Sequence, residues 1–136
     1  MTLLNKDTLR KRSADYRYHL VELPGGDTAR IRNMRESDYA EFIDSFSTKK
    51  GDPIPWRVKN FRSLLIARCW VDEAGDLILT EDDIKAEWWK SQDSMPITAF
   101  FRACREWVGF DEADIDAIEA AAKNLDETPA DSSSGE

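Results

Sequence analysis

The stretch WRVKNFRSLLIARCWV, residues 56–71, decides the fold. Val58, Phe61, Leu64, Leu65 and Cys69 recur at the three-and-four spacing of one helix face, and Arg57, Lys59, Arg62 and Arg68 decorate the remainder. The spacing predicts a helix from about Trp56 to Val71, apolar enough to be the central core helix. Everything on either side is most simply read as material that covers it.

Downstream, Asp72-Glu73-Ala74-Gly75-Asp76 makes a turn and Leu77-Ile78-Leu79 a short extended run. Thr80-Glu81-Asp82-Asp83 reads as a helix start, a hydroxyl cap followed by carboxylates against the positive end of the helix dipole. That helix is expected to run through Trp88 and Trp89. Ser94-Met95-Pro96 opens another, whose buried stripe is Ile97, Phe100, Phe101, Cys104, Trp107 and Val108, and Gly109 stops it. Asp111 to Asp114 begins a last helix with Ile115, Ile118, Ala122 and Leu125 as its apolar face.

Upstream, Ser37 looks like an N-cap for a helix over about Asp38–Ser47, with Tyr39, Phe42, Ile43 and Phe46 as its stripe. Before it, Tyr18–Leu23 and Thr28–Met34 alternate in character around Pro24-Gly25-Gly26-Asp27, the pattern of a β-hairpin. The predicted class is therefore mainly α (α+β): an N-terminal β-hairpin, about five short helices and a disordered acidic C-terminal tail. Residues 1–14 are expected to be a flexible basic arm, 15–125 a single helical domain, and 126–136 the tail.

The 136 residues suit one domain, with 41% apolar and 34% charged residues. No apolar run approaches the roughly 20 residues of a membrane span, and the opening residues lack the pattern of a secretory signal. A cytoplasmic location is the resulting expectation. Cys69 and Cys104 sit at core positions and are expected to be buried free thiols. The net charge of −8 is unevenly spread: Arg10, Lys11, Arg12, Arg30, Arg32 and Arg35 lie in the first third, whereas the last quarter is acidic. Such polarity favours orientation on a partner or head-to-tail self-association. The overall sign makes nucleic acid an unfavoured partner.

The residues offer no catalytic constellation, and the chain is expected not to be an enzyme. The one histidine, His19, falls in an alternating strand, both cysteines read as core, and no Gly-rich phosphate loop is present. Residues Asp72–Asp83 imitate a calcium-binding loop but lack a ligand at Ala74, the turn glycine at Leu77 and a closing Glu at Asp83. No metal or other cofactor is expected.

Binding signals remain. The chain has five tryptophans, and Trp88 and Trp89 point about 100° apart if helical, so one is exposed unless that helix is covered on two sides. An exposed Trp is a natural anchor for a partner. Trp56, beside Pro53 and Pro55, is a weaker candidate. Arg30 and Arg32 on the second hairpin strand complete the candidate contact residues, and they also anchor the rival reading, a small nucleic-acid-binding regulatory protein using the basic N-terminal third.

The order of segments carries a family resemblance. The helix 56–71 runs into Val71-Asp72-Glu73-Ala74-Gly75-Asp76-Leu77, then Thr80-Glu81-Asp82-Asp83, then Gly109-Phe110-Asp111-Glu112-Ala113-Asp114-Ile115. From about Tyr16 to Leu125 the chain resembles the tail assembly chaperones of long-tailed bacteriophages and prophages. The basic arm does not fit that pattern. The resemblance implies a non-enzymatic protein of the bacterial host cytoplasm, absent from the mature virion. Such a protein holds the tape measure protein in solution and helps recruit tail tube protein to it. It also implies a C-terminally extended form made by ribosomal frameshifting, for which the acidic Ser-rich end would suit as a tether.

Overall fold

A computed structural model describes residues 3–12 and 16–127, except the side chains of residues 126 and 127. The chain is α+β, with eight helices and one three-stranded antiparallel sheet among the described residues. In chain order these are α1 (Lys6–Lys11), β1 (Tyr18–Glu22), β2 (Thr28–Arg32), α2 (Glu36–Asp44), α3 (Pro55–Lys59), α4 (Phe61–Cys69), β3 (Trp70–Val71), α5 (Glu81–Lys85), α6 (Glu87–Lys90), α7 (Ser94–Val108) and α8 (Glu112–Glu127).

The core is built around α4, as its sequence requires. Phe61, Leu64, Leu65, Ile66, Ala67 and Cys69 are all buried, so this helix is covered on nearly every side. α7 lies along it and contributes Phe100, Phe101 and Cys104. At one end, Phe42, Phe46, Phe61, Phe101 and Phe110 meet edge to face, with ring centroids 5.0 to 5.6 Å apart for the Phe42–Phe46, Phe61–Phe101 and Phe61–Phe110 pairs. Such contacts add about 0.5–1.5 kcal/mol each beyond the area they bury. α8 closes this end with Ile115 and Ile118.

The hairpin forms as its alternation predicts, with Tyr18 opposite Arg32 and Glu22 opposite Thr28. Gly25 and Gly26 turn it at φ 101° and 97°, conformations that L side chains rarely adopt. Ala29 and Ile31 face the core, so Arg30 and Arg32 face outward.

The structure corrects several boundaries, and each correction has a local cause. The single helix expected over 56–71 is three elements. Asn60 (φ −110°, ψ 25°) interrupts it, its side-chain amide donating to the Trp56 carbonyl at 2.8 Å. At the far end, Trp70 is extended and Trp70–Val71 pairs with β2 as a third strand. An aromatic and a β-branched residue beside an open strand prefer the sheet. The helix expected to run from Thr80 past Trp89 breaks at Ala86 (ψ 149°), giving α5 and α6. α2 begins two residues earlier than expected, capped at Arg35 in place of Ser37, where the Arg35 N–H donates to the Asp38 carboxylate.

The arm expected to be flexible contains α1. The Asn5 side chain accepts from the Thr8 N–H, and the order of Asp7 before Arg10 and Lys11 suits the helix dipole. α1 buries nothing, and Leu3, Leu4 and Leu9 are exposed. Eight helices among the described residues thus stand where about five were expected. α8 extends through Glu127, two residues into the expected tail, and residues 128–136 lie outside the described residues.

Candidate functional site

The break at Ala86 places the two adjacent tryptophans. A continuous helix would have carried α6 onward from α5; the extended Ala86 instead re-aims a single turn, Glu87–Lys90. Trp89 turns inward. It is buried, and its indole N–H donates to the Ser63 hydroxyl on α4 at 2.9 Å. Trp88 turns outward and is 52% exposed, with its ring edge-on to Trp89 at 5.9 Å. One indole is a structural peg, and the other is free to meet a partner.

Beside Trp88 lies a groove of about 410 Å³. Its floor is Trp70 of β3 set edge-on to Phe100 of α7 at 5.6 Å. One wall is the hairpin turn, Leu23 and Pro24; the other is Pro96 and Ile97 at the start of α7. Asp27 supplies a carboxylate at the rim. The lining is therefore largely apolar with one acidic edge, the surface that an amphipathic helix bearing a few basic residues would cover.

The other candidates stand apart from this groove. Trp56 is half-buried on α3, and the Lys85 ammonium of α5 lies 4.8 Å from its ring. Arg30 and Arg32 occupy the outer face of the sheet, on the side of β2 opposite to Ala29, which lines the groove. The Arg30 guanidinium lies 4.1 Å from the Tyr18 ring and donates to the carbonyls of Asp72 and Glu73. Arg32 lies 4.1 Å from the Tyr16 ring, and Arg35 lies 4.4 Å from the same ring. Tyr16 accepts from Arg35 and donates to Asp38. Burial alone would raise the Asp38 pKa, but the hydrogen bonds from Tyr16 and Arg35 outweigh it and hold the carboxyl below its ordinary value.

Sequence reasoning missed the groove floor. Trp70 and Phe100 look like ordinary core residues, and only the third strand brings Trp70 beneath the hairpin. The signal for it was faint: a Trp-Val pair immediately before a turn.

The remaining chemistry-bearing side chains are turned to structural tasks. His19 stacks on Trp107 at 4.8 Å, and the Trp107 indole N–H donates to the Arg17 carbonyl, tying β1 to α7. Cys69 and Cys104 are buried free thiols. A hydrogen bond with Cys69, and then burial, pushes the Cys104 thiol upward, which leaves it a poor nucleophile. Asp72 accepts from the N–H groups of Ala74 and Asp76, and Asp83 closes a reciprocal cap with Thr80. The loop that imitates a calcium site thus directs its carboxylates to the backbone. Among the described residues, no three His, Cys, Asp or Glu side chains converge as metal ligands would, and no helix is long and apolar enough to cross a membrane.

Comparison of the chain with protein-family models, with curated proteins and with solved structures finds no match in any of the three.

Proposed function

We propose that this chain is a non-enzymatic tail assembly chaperone, which binds the tape measure protein of a long-tailed phage or prophage and keeps it in solution. In that role it works in the bacterial host cytoplasm, presents the covered client to tail tube protein, and does not remain in the mature virion. The single observation that carries the reading is the groove beneath Trp88: a half-exposed indole at the edge of an apolar trough floored by Trp70 and Phe100. The sequence resemblance over Tyr16–Leu125 supplies the kind of client. A tape measure protein is a long run of amphipathic helix, and such helices aggregate unless their apolar face is covered.

The test is calorimetric titration of the chain with amphipathic helical peptides cut from its client. Trp88→Ala is expected to weaken binding by roughly tenfold or more, the usual size of an aromatic anchor. Unchanged affinity in that variant would remove the groove from the account. Trp89→Ala is the wrong probe, because it removes a buried peg and tests folding instead.

A second reading rests on one specific observation, the interleaving of Arg30, Arg32 and Arg35 with Tyr16 and Tyr18 on the outer face of the sheet. A nucleic-acid-binding regulator would use that face. Binding would then fall steeply with salt and be lost in an Arg30→Ala, Arg32→Ala double variant. Against it stand the net charge of −8 and the commitment of Arg30 to the Asp72 and Glu73 carbonyls.

A further inference from the structure

The sheet has order β1-β2-β3, so among the described residues β1 has a neighbour on one side only. Its two edges are unequal. β3 is two residues long, and the Val71–Leu77 bridge lies just beyond it. β1 is five residues long and bulge-free, every residue pairing in continuous register with β2. It holds no proline or lysine, the residues that usually blunt an exposed edge.

The ladder shows which backbone groups are left over. Leu23 donates to the Asp27 carbonyl, and Asn33 donates to that of Arg17. Hydrogen-bonded pairs alternate along an antiparallel ladder, so between these two flanking pairs β1 spends the backbone groups of His19 and Val21 on β2. The N–H and C=O groups of Tyr18, Leu20 and Glu22 therefore point away from the sheet. Their side chains share the outer face, since His19 stacks inward on Trp107 and Val21 packs on the core. Leu20 is 65% exposed and Tyr18 is 41% exposed, an apolar pair beside unpaired backbone. A trough of about 640 Å³ runs along this strand, bounded by Ala103, Glu106 and Trp107 of α7, and leaves room for another strand.

We infer that this edge pairs with β1 of a second copy of the chain, antiparallel and centred on Leu20, to make a continuous six-stranded sheet. The strand is complementary to itself under a two-fold axis. Leu20 falls opposite Leu20, and Tyr18 falls opposite Glu22 in both directions, with all three as hydrogen-bonded pairs. Glu22 of each chain then sits beside the Tyr18 ring of the other, over which Arg30 holds its guanidinium at 4.1 Å. The arrangement buries both leucines and sets a carboxylate against a cation twice. It is isologous, unlike the head-to-tail contact that charge polarity alone suggests. It does not depend on the groove, which is lined from the other face of the sheet.

Sedimentation and light scattering over a wide concentration range test the pairing, with amide exchange measured on the same samples. The 15.6 kDa chain is expected to reach twice that mass. In the dimer the Tyr18, Leu20 and Glu22 amides are expected to be protected along with those of His19 and Val21. Leu20→Lys, at a side chain already exposed, is expected to weaken dimerisation by about tenfold or more while leaving circular dichroism unchanged. Leu20→Pro removes an N–H that the β1–β2 ladder does not use and should have the same effect. A chain that stays monomeric with fast exchange at Leu20 overturns the inference. So does a dimer that both variants leave intact, or one in which the Leu20 amide stays unprotected.

Discussion

Two neighbouring indoles carry different burdens. Trp89 is buried and bonded to Ser63, so Trp89→Ala is expected to cost about 3–5 kcal/mol of stability, read from a denaturant midpoint. Trp88→Ala is expected to change the same midpoint by less than about 1 kcal/mol, because its ring is already half in water. Sequence alone showed that the two point apart on a helix but left open whether either is exposed; that depended on the break at Ala86, which no glycine or proline marks. Tyr39 supplies a second residue-scale expectation. Its hydroxyl donates to Asp114 and accepts from the Asp111 N–H, joining α2 to the start of α8. Burial, and then the Asp114 hydrogen bond, pushes its pKa from 10.0 up to about 12. Because the folded-state value is the higher one, this contribution is whole below about pH 10 and is lost as the pH rises through about 12. Urea midpoints measured across that window should fall in the native chain and fall less in Tyr39→Phe.

The helices meet through a few charged ties that the hydrophobic pattern does not reveal. Arg57 on α3 donates to Glu81 on α5 at 2.8 Å and to the Ser45 hydroxyl at the end of α2 at 3.0 Å, and its guanidinium lies 5.6 Å from the Phe46 ring. The Arg57 side chain is 15% exposed whereas that of Glu81 is 53% exposed. Arg57→Ala is therefore expected to cost about 1.5–3 kcal/mol, from lost packing and from the Ser45 bond as well as the ion pair. Glu81→Gln is expected to cost less than about 1 kcal/mol. Thr80→Ala should remove about 1 kcal/mol through the cap of α5, and Thr80→Ser should restore most of it. Thermal or chemical unfolding separates these outcomes. The hairpin, α2, α4, α7 and α8 were legible because each carries a strong period or a clear stop, such as Gly109 at φ 71° after α7. α1 and β3 were not. α1 has a cap and a charge order but no apolar stripe, and β3 is two residues whose conformation is set by β2, distant in sequence. The groove shares that difficulty, since Leu23, Trp70 and Phe100 meet only after the sheet has formed.

At the scale of the whole molecule, function is proposed to lie in surfaces rather than in a reacting centre. One face of the sheet packs on α7 and, with the hairpin turn and α6, frames an apolar groove rimmed by Trp88 and Asp27. The opposite face gathers arginines onto tyrosines. Between the two faces runs the free edge of β1. A dimer joined there would carry two grooves, and two weak contacts on one long helical client reinforce one another through effective concentration. The most direct test of the central claim is co-expression with the tape measure protein, followed by size-exclusion chromatography with light scattering. The account predicts that the client, aggregated when made alone, elutes as a soluble complex with several copies of this chain, and that Trp88→Ala returns it to the aggregate. A client that stays insoluble while this chain elutes by itself would contradict the account.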